Sequence, residues 1–217
     1  MTVVSCRRAP VDVDASSLST LREAFADAEP LLLKQAWRES PEPAFRPALV
    51  RVGWQDDRLL ILAELDDVDI TTAATSHGQR FWELGDTFEI FLAAEGVAQY
   101  IECHVTPLNQ RLQLRFPLDG PAVLGPDPFV KALVPGDDFT SRVSIADDKA
   151  AWTVLAAIPA TLAGLDRPSL AGSEWRYSFS RYDVTRGASS PVISSTSPHP
   201  VPSFHRQQEW GRLVCVG

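Results

Sequence analysis

The sequence predicts an all-β fold, an antiparallel β-sandwich of the jelly-roll or immunoglobulin kind with about ten or more strands, on three observations. Short runs in which apolar and polar residues alternate recur along the chain, the period of a half-buried strand. Helical periodicity is scarce. The 17 prolines fall mostly between the alternating runs, as in "PAVLGPDPF" and "SPHPVPSF", where they punctuate loops. With 217 residues and neither an internal repeat nor a linker, the chain reads as a single domain over residues 1–217.

The short N-terminal helix expected is "STLREAFADAEP", residues 19–30, with Ser19 or Thr20 as N-cap, Glu23 closing a capping box and Pro30 as the stop. "ALVRVGWQDDRLLILAEL" follows as two strands around Gln55, Asp56 and Asp57, a hairpin signature. Next, "DTFEIFLA", "QYIECHVTP", "QRLQLRFP", "FVKALVP", "TSRVSIA", "AWTVLAAIP", "EWRYSFSRYD" and "GRLVCV" each read as a strand. Trp152 shares a parity with Val154, Ala156 and Ile158, and Trp175 with Tyr177 and Phe179, so both are expected in the core. Trp54, beside its turn, and Trp210, before the last strand, are expected to pack at edges; Trp37 has no periodic context.

Composition narrows the function. Hydrophobic residues at 45% and charged residues at 22% are ordinary for a soluble globular chain. A net charge of -8 argues against nucleic acid as a partner, since binders carry a basic stripe, and suits a neutral or cationic ligand. No run has the length of a signal peptide core or a membrane span, so the chain as given is expected to be cytoplasmic and not membrane-bound. Cys6, Cys103 and Cys215 form no CxxC pair, so neither a zinc site nor a disulfide framework is expected, and Cys103 and Cys215 read as packed thiols.

The stretch "FWELGDTFEIFL", residues 81–92, poses the chemical question. Phe88, Ile90 and Leu92 alternate with Thr87, Glu89 and Phe91, so Glu89 projects from the face opposite the core set. Beside Phe91 that face is not plain solvent, and in a second core Glu89 would carry a desolvation cost unless paired. A concave, half-dry polar surface satisfies both. The same parity in the next two runs sets Ile101, Cys103 and Val105 against Glu102 and His104, and Leu112, Leu114 and Phe116 against Arg111, Gln113 and Arg115. The expected outer face therefore offers Glu89, Glu102, His104, Arg111, Gln113 and Arg115.

Three readings of that face stay open. Carboxylates pair with Arg across strands at about 0.2 to 1 kcal/mol each. Glu89 and Glu102 could serve as the two carboxylates of a glycan-active enzyme. Or the face contacts a hydroxyl-rich ligand, with Trp82 as the aromatic platform for its C–H surface and charged groups for its hydroxyls. His104 as a metal ligand lacks a second His nearby, so hydrogen bonding within the face is expected instead. The runs "DDVD", residues 66–69, and "GDD", residues 136–138, read as solvated loops with structural calcium as the alternative. No GxSxG elbow occurs.

The ordered set "RVGWQDDRLLILAELDDVDI", "FWELGDTFEIFL", "QYIECHVTPLNQ", "WTVLAAIP", "EWRYSFSRYD", "SSTSP" and "SFHRQQEWGRLV" resembles the carbohydrate-binding module family 9-like domains, relatives of the DOMON β-sandwiches, over roughly residues 20 to 217. The resemblance implies a non-catalytic sandwich that binds a mono- or oligosaccharide, requires no cofactor and often holds structural calcium. It implies that Trp82 is one of two sandwiching tryptophans, that Glu89 binds sugar hydroxyls and that Arg111 is the binding arginine, with Glu102 and His104 alongside. The second tryptophan belongs within "SSTSP", where this chain has Thr196. A protein-interaction sandwich without sugar binding is a further alternative. Haem, which some DOMON domains hold between Met and His, is not expected, because the single methionine is Met1.

Overall fold

The computed structural model describes residues 3–148 and 150–217. Its strands are β1 Val3–Arg8, β2 Leu31–Leu32, β3 Ala48–Gln55, β4 Arg58–Asp66, β5 Thr87–Ala94, β6 Gln99–Val105, β7 Arg111–Pro117, β8 Thr140–Ile145, β9 Ala151–Pro159, β10 Glu174–Asp183, β11 Val192–Ser195 and β12 Gly211–Val216. They form one mixed, strongly curved sheet in the order β7-β6-β5-β10-β12-β1-β3-β4-β9-β8, with β11 paired on β10 and β2 on β3. The all-β expectation holds; a wholly antiparallel sheet does not. β1 runs parallel to β12 from Val3↔Arg212 to Arg7↔Val216, and parallel to β3 at Arg7↔Gly53 and Arg8↔Trp54. Only Val4 and Cys6 of this strand are buried, too short an apolar pattern to mark it in the sequence.

The two wings of the sheet share one core. Phe88, Ile90 and Leu92 of β5 and Ile101, Cys103 and Val105 of β6 pack in the same cluster as Ile61, Ala63 and Leu65 of β4 and Val154, Ala156 and Ile158 of β9. Fully burying a side chain of this size contributes about 1.5 to 3 kcal/mol, so this layer dominates the stability. Trp152 and Trp175 lie in it as expected; Trp54, expected at an edge, is there too, its indole N–H donating to Val216 O at 2.9 Å.

A second core covers the opposite face of β5, β6 and β7, built from Phe81, Phe91, Tyr100, Phe116, Phe204 and Trp210 among others. Trp210 is fully buried, not at an edge. This layer reverses the expected face of β7. The register His104↔Leu112, Glu102↔Leu114 and Tyr100↔Phe116 puts Leu112, Leu114 and Phe116 on the same face as Glu102 and His104, because directly opposed residues share a face. Arg111, Gln113 and Arg115 therefore point the other way, opposite Val105, Cys103 and Ile101. Two apolar layers were available to a strand with one apolar face, and the five-residue connection from Thr106 to Gln110 chose between them.

Two local expectations change as well. The helix α1 spans Leu18–Ala24 with Ser17 as N-cap, its side chain accepting from Thr20 N at 3.1 Å, so neither Ser19 nor Thr20 caps it. "FVKALVP" is not a strand: Pro128–Ala132 form a short helix, α2, with Pro at its start, where a missing N–H costs nothing.

Candidate ligand-binding cavity

Trp82 sits in a 3-10 turn, Phe81–Glu83, held down by the buried Phe81. Gly85 follows at φ +148 against the Thr71 carbonyl, where any Cβ would clash. The chain then enters β5. Its register with β6, Glu89↔His104 and Phe91↔Glu102, gathers these four side chains on one face. β10 adds Ser178, Ser180 and Tyr182 to that face through Ser180↔Glu89 and Tyr182↔Thr87.

These residues surround a cavity of ≈ 320 Å³, at the small end of ligand sites. Its wall is aromatic, with Trp82, Phe91, Phe116, Phe129, Tyr182 and Phe204 around Glu89, Glu102 and His205. Trp82 is half-buried and meets His104 edge-on at 5.4 Å and Phe129 at 5.8 Å between centroids. The loop between β11 and β12 supplies Phe204 and His205. It is stapled by His199 Nδ1 to Glu209 Oε2 at 2.7 Å and by Arg206 Nε donating to Glu209 Oε1 at 2.7 Å.

The polar groups form a chain. His104 Nε2 lies 2.5 Å from Glu102 Oε1 and 3.5 Å from Glu89 Oε1; His205 Nε2 lies 3.7 Å from Glu102 Oε2; Tyr100 Oη bonds His205 Nδ1 at 2.7 Å. Glu89, Glu102 and His104 are all buried, and Glu102 Oε2 and His104 Nδ1 have no hydrogen-bond partner among the described residues. Burial pushes the Glu89 carboxyl up to about 8, against the pull of His104. Burial also raises Glu102, but His205 and His104 outweigh it and hold its carboxyl below the usual range. For His104 burial favours the neutral ring, yet Glu89 and Glu102 raise its pKa. Glu89 thus tends to keep its proton while Glu102 stays ionised. Glu89, Glu102 and His104 bring an O,O,N donor set within 4.8 Å, but the 2.5 Å His104–Glu102 contact is a hydrogen bond, closer than two ligands of one tetrahedral ion would sit.

Of the residues expected at the site, Trp82, Glu89 and Glu102 line the cavity and His104 stands behind them. Arg111 does not join them. It lies on the other face of β7, with Nε donating to Asp137 Oδ1 at 2.6 Å. Thr196 is also elsewhere, lining a separate depression beside Tyr177 and Pro198. The aromatic surfaces accompanying Trp82 are instead Phe129, Tyr182 and Phe204. Sequence reading did not assign them: Phe129 lay in a run read as a strand, and Phe204 and His205 come from a loop with no period.

The "GDD" run is a solvated loop as expected, with all three residues exposed, and in "DDVD" only Asp67 is buried, but several of their carboxylates are engaged. Asp137 pairs with Arg111, and Asp138 accepts from Gln113 Nε2 at 2.8 Å. Asp67, Asp86 and Asp183 converge around the buried Arg181, which lies 2.7 Å from Asp67 and 3.4 Å from Asp183.

No family model and no characterised protein matches the chain by sequence. Solved structures do match. A Bacteroides uniformis protein named as a candidate carbohydrate-binding protein superposes with TM-score 0.77 at 15% identity, covering 99% of each chain. Two structures of a carbohydrate-binding module family 9 from Caldicellulosiruptor kristjanssonii, one with cellotriose and one with glucose, superpose with TM-scores 0.65 and 0.63, each at 15% identity. They cover 100% of this chain and 94% and 96% of theirs. The fold is that of the family 9 carbohydrate-binding modules.

Proposed function

We propose that this chain is a non-catalytic carbohydrate-binding β-sandwich that takes a mono- or oligosaccharide in the Trp82–Glu89–Glu102 cavity. The observation that carries the reading is the cavity's construction: aromatic faces around two buried carboxylates, one of them with an unanswered oxygen. Ring faces cover the C–H surface of a sugar and carboxylates accept from its hydroxyls. The neighbours of the same fold that hold glucose and cellotriose point the same way.

The enzyme reading draws on the same two carboxylates, whose acidities are driven apart as a general acid and a base require. Their placement opposes it. Glu89 and Glu102 are on adjacent strands of one sheet face, with His104 tied to both, whereas glycosidase carboxylates flank the scissile bond.

Titration calorimetry with glucose and cellotriose tests the reading. Binding with a dissociation constant of about millimolar to tens of micromolar is expected, weakened several-fold or more by Trp82→Ala in a protein that still folds. No heat with either sugar or with the amino sugar glucosamine, or unchanged affinity in the folded variant, would overturn it.

A further inference from the structure

We propose that the sugar this cavity selects carries a protonated amine, so that an amino sugar binds in preference to its neutral counterpart; this rests on the carbohydrate-binding reading above. The polar lining includes two acidic side chains and, among the described residues, no Lys or Arg. Its carboxylates are Glu89 and Glu102, and its remaining polar side chains are Tyr182, Ser203 and His205, with no Lys, Arg, Asn or Gln among the described lining residues. An ammonium group has three donors and no acceptor.

The unpaired atom is the sharper observation. Glu102, a lining residue of the cavity, is 4% exposed; its Oε1 is occupied by His104 Nε2 at 2.5 Å, and its Oε2, itself buried, has no hydrogen-bond partner among the described residues. The nearest cationic candidate, His205 Nε2, stops at 3.7 Å, beyond hydrogen-bond reach, and its ring is held there by Tyr100 through Nδ1. A buried carboxylate oxygen left in that state calls for a donor from outside the chain, and charged donors answer it most strongly. Trp82, Phe91 and Tyr182 line the same cavity, and aromatic ring faces attract a cation through their ring electrons. Arg80, which lies 4.6 Å over the ring of the lining residue Phe129, is occupied by Asp127 at 2.9 Å, and Arg206, next to His205, by Glu209. The overall charge of -8 gathers cations rather than repelling them.

The test compares three sugars that differ at one ring substituent, glucosamine, glucose and N-acetylglucosamine, by calorimetric titration of the intact protein at about pH 6.5, where the amine is largely protonated. Glucosamine should bind at least about tenfold more tightly than glucose, and N-acetylglucosamine, which keeps the nitrogen and loses the charge, no better than glucose. Glu102→Gln should bring the glucosamine-to-glucose ratio close to unity. Equal or weaker binding of glucosamine would overturn the proposal while leaving carbohydrate binding standing; a preference that survives in folded Glu102→Gln would overturn the assignment to this oxygen. Silence with all three sugars would bring down both readings. Should the variant fail to fold, the wild-type comparison alone decides whether the charge is selected.

Discussion

The protein buries two charged clusters, and what separates them is whether the acceptors are answered from within the chain. At the first, Asp67 Oδ1 accepts from the backbone of Val68 and Asp69 and its Oδ2 from Arg181, while Asp86 accepts from Thr71 N at 2.5 Å and Val184 N at 2.7 Å. All four oxygens of Asp67 and Asp86 are satisfied, Asp183 faces Arg181 at 3.4 Å, and Arg181 supplies the positive charge, although its own Nε has no hydrogen-bond partner among the described residues. At the second, Glu102 keeps one oxygen unpaired beside a ≈ 320 Å³ cavity, and Glu89 has only His104 at 3.5 Å. Both clusters carry the desolvation cost of buried charge. Closed, such a cluster is a structural knot that joins the β4 end to β10; open, it is the candidate site proposed above for donors from outside the chain.

Removing the central cation of the closed cluster should produce the largest effect. Arg181→Met leaves Asp67, Asp86 and Asp183 together without compensation and is expected to cost about 3 to 5 kcal/mol of stability. Glu102→Gln in the open cluster can still accept from His104 and should cost about 1 kcal/mol or less. Urea unfolding of the two variants measures the contrast; comparable losses would erase it.

The pH dependence comes next. Burial raises Glu89 to about 8, Asp86 to about 7 and Asp183 to about 6, so between their ordinary values near 4 and these raised ones the folded chain binds more protons than the unfolded chain. Stability should therefore fall as pH rises through that window. His104, also raised, acts in the same sense; the lowered His199 opposes it below about pH 6.5, and the lowered Glu102 acts only below about pH 4.5. Asp86 is half-titrated near pH 7 and Glu89 near pH 8, so above about pH 8 Glu89 carries most of the remaining carboxylate slope, and Glu89→Gln should flatten the curve between about pH 8 and 9. Urea midpoints at stepped pH values check this, and an unaltered slope in the variant would remove Glu89 as its source.

The smallest expected effect is that of calcium. With Arg181 already among the three aspartates, we propose that the fold needs no added cation there, and EDTA or excess calcium should move the melting temperature by no more than about 1 °C. A rise of several degrees with calcium would show that the knot, or another acidic loop, takes the ion after all.

How much of this was legible in the sequence depended on how local the signal was. The β3–β4 hairpin around Asp56 and Asp57, the alternation of β5 and β6, and the placing of Glu89 and Glu102 opposite the main core follow from a period of two and from turn residues, which neighbouring residues carry by themselves, whereas Trp82, in a 3-10 turn ahead of β5, is outside that alternation and was pointed to by the family resemblance. That Glu89 lies in a second apolar layer, that β7 turns Leu112 and not Arg111 towards it, and that Phe204 and His205 arrive from a loop some 100 residues downstream were decided only by tertiary structure. Alternation shows that a strand has two faces and not which layer each will meet, because register is set by a connection and by partners distant in the chain. The unanswered oxygen of Glu102 is of the same kind: whether a carboxylate is satisfied depends on every donor that the fold brings within about 3 Å, and no stretch of sequence contains that list.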